Sequence, residues 1–161
     1  MFKLFKTKSQ VNICAPVSGK IINLENVKDE VFSTKMMGDG FAIEPMEANN
    51  VVSSPVKGKV VSIAETKHAV GIQTNDGKVE ILLHIGLDTV NQKGEGFKAL
   101  VKNGDRIESG QPLIEYDRVL MKKKGYDMVT MVIFTKPLNE SIDLVKYEGQ
   151  NINAGDHILN V

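Results

Sequence analysis

The stretch Ala69-Val-Gly-Ile-Gln-Thr-Asn-Asp-Gly-Lys-Val-Glu-Ile-Leu-Leu-His84 decides the fold class. Two runs rich in Val, Ile and Leu flank Asn75-Asp-Gly77. Branched aliphatics suit a pleated, half-buried surface, and an Asp-Gly pair supplies the positive φ angles of a primed hairpin turn. Two antiparallel strands are expected here. Similar runs lie outward on both sides: Lys20-Ile-Ile-Asn-Leu24, Lys57-Gly-Lys-Val-Val-Ser-Ile-Ala64 and Met128-Val-Thr-Met-Val-Ile-Phe134. Short strands broken by Gly, Asn and Asp point to an all-β fold, an antiparallel sandwich or barrel. No segment keeps a long helical period, so only short helical turns are expected. The best helical candidate is near Gly94 to Val101.

Two internal echoes sharpen this reading. Ala15-Pro-Val-Ser-Gly-Lys-Ile21 matches Ser54-Pro-Val-Lys-Gly-Lys-Val60 at a spacing of 39. Gly104-Asp-Arg-Ile-Glu-Ser-Gly110 matches Gly149-Gln-Asn-Ile-Asn-Ala-Gly155. Turn chemistry alone places Gly at like positions of unrelated turns. Two echoes in the same order favour a duplicated β motif, too short to be a solenoid.

The totals narrow the class of partner. The chain has 161 residues, 42% of them hydrophobic, enough for one domain with its own core. Lys plus Arg and Asp plus Glu are both 20, so nothing favours nucleic acid or a broadly anionic surface. Cys14 is the only cysteine, which excludes an internal disulfide and fits a reducing compartment. No apolar run approaches the roughly 20 residues of a membrane-spanning helix. Residues 1–12 are expected to be a flexible, solvated tail, and residues 13–161 a single domain. The start of the tail, Met1-Phe-Lys-Leu-Phe-Lys-Thr-Lys8, is too short and too charged for a signal peptide. A sharper reading makes it a weak membrane-surface anchor, because Phe2, Leu4 and Phe5 are interleaved with lysines.

Chemistry concentrates around His84. An imidazole among Ile and Leu is costly without a partner or a task. Alternation along the strand puts Glu80, Leu82 and His84 on one face and Ile81, Leu83 and Ile85 on the other. If the second set faces the core, His84 is accessible. Gly86 is expected to clear its flank for another molecule, and Asp88 to curl back over the ring. Thr66-Lys-His68 offers a second imidazole with a hydroxyl that can fix its tautomer. The plain alternative is a hydrogen-bonded histidine with no function. His157 reads as a surface turn residue. In Val31-Phe-Ser-Thr-Lys-Met-Met-Gly-Asp-Gly-Phe41, Gly38-Asp-Gly40 is expected to be a turn. Phe32, Met36 and Met37 fit either a core or an adaptable contact surface.

Four blocks in order carry a resemblance. His84-Ile-Gly-Leu-Asp-Thr-Val90 with Gly94-Glu-Gly-Phe97 resembles the active-site signature of the glucose-type IIA proteins of the bacterial sugar phosphotransferase system. Ala15-Pro-Val-Ser-Gly19, Met36-Met-Gly-Asp-Gly40 with Ala42-Ile-Glu-Pro45, and Thr66-Lys-His68 resemble other parts of the same family. The likeness spans roughly Ile13 to Val161. It implies an antiparallel β-sandwich built from a duplicated motif. It implies a cytoplasmic, monomeric phosphotransferase component. As a departure from part of the family, the chain is expected to be free-standing, with no permease or IIB segment attached. His84 would accept a phosphoryl group from phosphorylated HPr and pass it to a cysteine on the IIB domain of a sugar permease. His68 would steady the phosphoryl oxygens and Thr66 would orient His68. Asp29 and Asp88 match acidic rim positions suited to an arginine of HPr. Phe32, Met36, Met37, Gly86 and Val90 fall in the contact surface. Met36-Met37 stands where some relatives carry smaller branched aliphatics.

Such a transfer requires no cofactor. His68 and His84 could hold zinc if a partner supplied a carboxylate. Two other classes compete. A zinc hydrolase would use His84, Asp88 and His68 as ligands, but lacks a closely spaced His-x-His pair. A lipoyl- or biotinyl-type carrier would need a lysine at a tight hairpin tip, and Asn75-Asp-Gly77-Lys78 does not reproduce that setting.

Overall fold

The computed structural model describes residues 10–161. The expectations for residues 1–9, the anchor reading included, lie outside the described residues. The strands in chain order are β1 (Asn12–Cys14), β2 (Gly19–Asn23), β3 (Asp39–Pro45), β4 (Val51–Ser53), β5 (Gly58–Ile63), β6 (Ala69–Gln73) and β7 (Glu80–Ile85). They continue as β8 (Phe97–Ala99), β9 (Arg106–Ile107), β10 (Pro112–Tyr116), β11 (Thr130–Phe134), β12 (Asn151–Ile152) and β13 (His157–Asn160). Two short helices, α1 (Glu30–Ser33) and α2 (Arg118–Lys123), and 3₁₀ turns at Leu24–Asn26 and Thr89–Gln92 complete the fold. The chain is all-β, as the alternating runs require.

An eight-stranded antiparallel sheet runs in the order β12-β2-β3-β11-β7-β6-β5-β9. A three-stranded sheet, β4-β10-β8, and the pair β1-β13 complete the sandwich. Ile81, Leu83 and Ile85 of β7 join Phe41, Ile43, Val70, Ile72, Val132 and Phe134 in the main core. The opposite face of the large sheet carries a second, smaller cluster, with Leu24, Val27, Phe32, Ala42, Leu87, Met131 and Ile133. Residues 24–38, which join β2 to β3, supply part of it.

The order of the large sheet reads as two like halves meeting at β7 and β11. The hydrogen bonds obey the same symmetry. Cys14 N donates to Pro55 O and Ser53 N donates to Pro16 O, both at 2.9 Å. Gly155 N donates to Ala15 O and Gly110 N to Ser54 O, both at 2.8 Å. Gly149 N donates to Ile21 O, and Gly104 N to Val60 O. The echoes are thus two copies of one motif, each pair of segments docking in the same way. Gly19 and Gly58 share a physical cause. A Cβ at either would collide with a facing backbone carbonyl, that of Glu44 or that of Gln73. The axis passes through the Leu83–Val132 pair, so His84 corresponds to Ile133 and Ala69 to Gly40.

Several local expectations are corrected. Gly94 to Val101 is not a helix; Gly94 and Gly96 have positive φ and lead into β8. The β6–β7 connection is longer than a primed two-residue turn. Gly77 has φ +73 while Asp76 does not share a positive φ, and Thr74 N bonds Val79 O across the loop. Gly38 turns, but Asp39 and Gly40 already belong to β3. His157 is exposed as expected, yet opens β13 rather than a turn. Val11 and Asn12, assigned to the tail from sequence, pair with Val161 and Asn160.

Candidate functional site

His84 sits near the end of β7, on the face away from the main core. Its direct cross-strand neighbours are Ala69 of β6 and Met131 of β11. Directly opposite residues in antiparallel strands share a face and lie within side-chain reach. Alanine leaves room beside the imidazole, and Met131 walls its other side. Neither neighbour was singled out from sequence; only the strand register reveals them.

His68 precedes Ala69 and lies in the β5–β6 turn. Strict alternation would put it on the face opposite Ala69 and His84. Lys67, at φ +60, breaks that alternation. The His68 ring instead meets His84 edge-on, with centroids 5.0 Å apart and planes at 80°. Ile85 N donates to His68 O at 2.8 Å and fixes the backbone of this corner. Thr66 Oγ1 lies 2.6 Å from His68 Nδ1. With the hydroxyl donating, His68 carries its proton on Nε2.

The third wall comes from α1. Asp29 caps this helix by accepting from Val31 N at 2.9 Å. The cap sets Phe32, which is 5% exposed and packs its ring 4.7 Å from that of His84. Phe32 is therefore both core and site. Met36 (75% exposed), Met37 (41%), Val31 (42%) and Val90 (50%) remain at the surface. The sequence left Met36 and Met37 open between core and contact; both are exposed and stand outside the core.

Burial dominates the electrostatics. The pKa of His84 falls to about 4, chiefly because burial disfavours the charged ring; the His68 imidazole adds to the fall. The Gly86 carbonyl and the Asp29 carboxylate act the other way. Burial also lowers the pKa of His68. Both rings are neutral near pH 7. Nδ1 of His84 is buried and has no hydrogen-bond partner among the described residues. The Gly86 backbone favours the charged ring, but no hydrogen bond to Nδ1 is formed. Nε2 is left as the nitrogen open to a reactant.

Two expectations for this loop are corrected. Asp88 does not curl over the ring. It is exposed, in a left-handed conformation at φ 58, and the carboxylate acting on His84 is that of Asp29. Gly86 is buried rather than open to a partner. Its φ is +75, and a Cβ there would lie 2.5 Å from Thr89 Cγ2 and 3.1 Å from Asp127 O. The glycine serves close internal packing beneath the loop.

Among the described residues, no group of three or more His, Cys, Asp or Glu side chains is placed to hold a metal ion. The two imidazoles are too few for a closed site, so a metal here would need ligands from another molecule. Two surface clefts, beside Tyr116 and Arg118 and beside Val11 and Thr74, include neither histidine. The site is a surface face. Among the described residues no helix is long and apolar enough to cross a membrane.

Residues 11–141 match the family model described as phosphoenolpyruvate-dependent sugar phosphotransferase system, EIIA 1. The chain belongs to this family. It is thus a phosphotransfer component of the sugar phosphotransferase system. Within the EIIA 1 family, it is 50% identical over 123 residues to the glucose-specific EIIA component of Halalkalibacterium halodurans, covering 76% of this chain and 69% of that one. It is 48% identical over 138 residues to the beta-glucoside-specific EIIBCA component of Bacillus subtilis, covering 86% of this chain but 22% of that longer protein. The structure of glucose permease IIA from Mycoplasma capricolum superposes with a TM-score of 0.83 at 38% identity, over 99% of each chain. The EIIA fold is therefore that of the chain as well as that of its sequence relatives.

Proposed function

We propose that this chain accepts a phosphoryl group on Nε2 of His84 from the phosphohistidine of HPr and passes it to a cysteine on the IIB domain of a sugar permease. The observation that carries the reading is the setting of the His84 ring: Nδ1 is enclosed without a partner, and the His68 ring, itself held by Thr66 at 2.6 Å, meets it edge-on at 5.0 Å. The Nε2 lone pair attacks phosphorus in line while the P–N bond to the donor breaks and the donor nitrogen keeps its electron pair. Transfer to IIB repeats the exchange with a thiolate as nucleophile. The reaction asks the protein for position and hydrogen-bond donors, and no metal is needed. The N–H of His68 Nε2 donates to a phosphoryl oxygen. A zinc ion would bind His68 and His84 only with a carboxylate from a partner.

Phe32, Val31, Met36, Met37 and Val90 form the apolar contact face, with Asp29 and Asp88 at the rim for a cationic side chain of the donor. Gly86 shapes the face from beneath. The fusion of EIIB and EIIA in the Bacillus subtilis relative supports a IIB partner. In this reading the chain works as a cytoplasmic monomer.

The test is incubation with phosphoenolpyruvate, enzyme I and HPr, followed by mass spectrometry under alkaline conditions. Wild-type chain gains one acid-labile phosphate and His84→Gln gains none. Phosphate on His84→Gln refutes the acceptor. His68→Gln is phosphorylated but fails to hand the group to IIB; normal transfer by that variant refutes the role of His68.

A further inference from the structure

The β2–β3 connection, residues 24–38, begins and ends on the same cation. Lys35 Nζ lies 3.2 Å from Glu25 Oε1, in the 3₁₀ turn that starts the connection. It lies 3.3 Å from Asp39 Oδ1, the first residue of β3 after the connection ends. Lys35 adopts φ 60, in the left-handed region where glycine or asparagine is the unstrained choice. A lysine held there is strain retained by its surroundings, a pattern that clusters at functional sites. Its backbone completes the turn: Lys35 N donates to Phe32 O, and Gly38 N donates to Lys35 O. Between those bonds lie Met36 and Met37.

We propose that Lys35 is a positioning residue for partner docking. Its ammonium fastens the two ends of the connection together and holds Met36 and Met37 in the conformation a partner protein meets. This rests on the phosphocarrier reading of the same face. One exposed ion pair contributes little, but a cation shared by carboxylates on two separate elements closes a network. The Lys35 pKa is raised, first by its hydrogen bond to Glu25, in keeping with that sharing. Methionines adapt to several surfaces, and an adaptable contact still loses affinity when its backbone must be ordered on binding.

The experiment varies the chain's concentration in a coupled reaction with enzyme I, HPr and a IIB-containing permease. Lys35→Asn keeps the left-handed backbone and removes the cation. It is expected to raise KM about three- to tenfold with kcat within about twofold, the cost of ordering a loosened contact segment. Lys35→Arg restores the cation and stays within about twofold of wild type in KM. Glu25→Gln raises KM in the same direction, and the double variant Glu25→Gln/Lys35→Asn is no worse than Lys35→Asn alone, because both break one device. An unchanged KM in Lys35→Asn overturns the proposal. So does additivity in the double variant, which would make Lys35 a direct partner contact. Wild-type chain that takes no phosphate on His84 overturns the phosphocarrier reading itself; phosphorylation of His84 with unaltered KM in the variants overturns this proposal alone.

Discussion

The ring of Phe32 lies against the ring of His84, centroids 4.7 Å apart and planes tilted by 55°. A residue from the β2–β3 connection thus keeps water from a histidine on a strand some fifty positions away. This contact links the packing of the small outer cluster to the protonation state of the ring.

Phe32→Ala should report both sides of that link. Loss of a buried phenyl ring at the edge of a small cluster is expected to cost about 2–3 kcal/mol, below the range for a deep core. Because burial is the main cause of the low His84 pKa, the variant's His84 should titrate closer to the ordinary imidazole value. Urea denaturation reads the first effect and an NMR titration the second. A His84 midpoint unmoved by the substitution would show that Phe32 does not shield the ring.

The pH dependence of stability has a definite sign. His84 has a folded pKa of about 4, below the value of about 6.5 for an unfolded chain. In the window between those values the unfolded chain binds the proton and the folded chain does not, so acid favours unfolding. The contribution is intact above pH ~6.5 and is lost as pH falls toward 4, to a limit of roughly 3 kcal/mol. His68, shifted in the same direction, adds to the loss. His84→Gln should flatten the profile in part. A wild-type profile that is level from pH 7 to 4.5 would contradict the neutral, buried ring.

Thr66→Val tests the orientation of His68. The hydroxyl's 2.6 Å contact with Nδ1 is replaced by a methyl group of similar shape. Stability should fall by only about 1 kcal/mol, the net worth of one hydrogen bond. The His68 tautomer should change, as read by ¹⁵N chemical shifts, and transfer from His84 to IIB should slow about tenfold or more. Thr66→Ser should keep both. If valine leaves the tautomer unchanged, the hydroxyl does not set it.

Gly86→Ala probes the floor of the site. The added Cβ meets Thr89 Cγ2 at 2.5 Å and the backbone requires φ +75. A cost of about 1–3 kcal/mol is expected, with the strand end and the 3₁₀ turn at Thr89–Gln92 displaced together. Thermal unfolding and the NMR shifts of His84 check it. A neutral substitution would return Gly86 to the role of an open flank.

What the sequence disclosed depends on the range of the interaction. Alternation along Glu80 to Ile85 placed His84 on the outer face, because strand periodicity is local. Asp76-Gly77 marked the β6–β7 connection for the same reason. The pairing of His68 with His84 was suggested by motif, but its geometry depends on the left-handed Lys67, which propensity does not foresee in a lysine. Gly86 and Asp88 were misread because their surroundings, Asp127 and the 3₁₀ turn, come from register and loop packing. The helix expected near Gly94 gave way to β8, which pairs with β10. Ala69 and Met131, which flank the imidazole, carry no motif signal.

The correspondence of His84 with Ile133 has a final consequence. A doubled fold offers two equivalent positions on one face of the large sheet, and here they carry an imidazole and an isoleucine. Here one half carries the imidazoles at a bare hairpin, while the other spends its corresponding connection as a roof. The asymmetry makes two positions on that one face unlike. On the proposed reading one phosphoryl group per chain is expected, because the twin position is filled by Ile133, which has no nucleophile to offer.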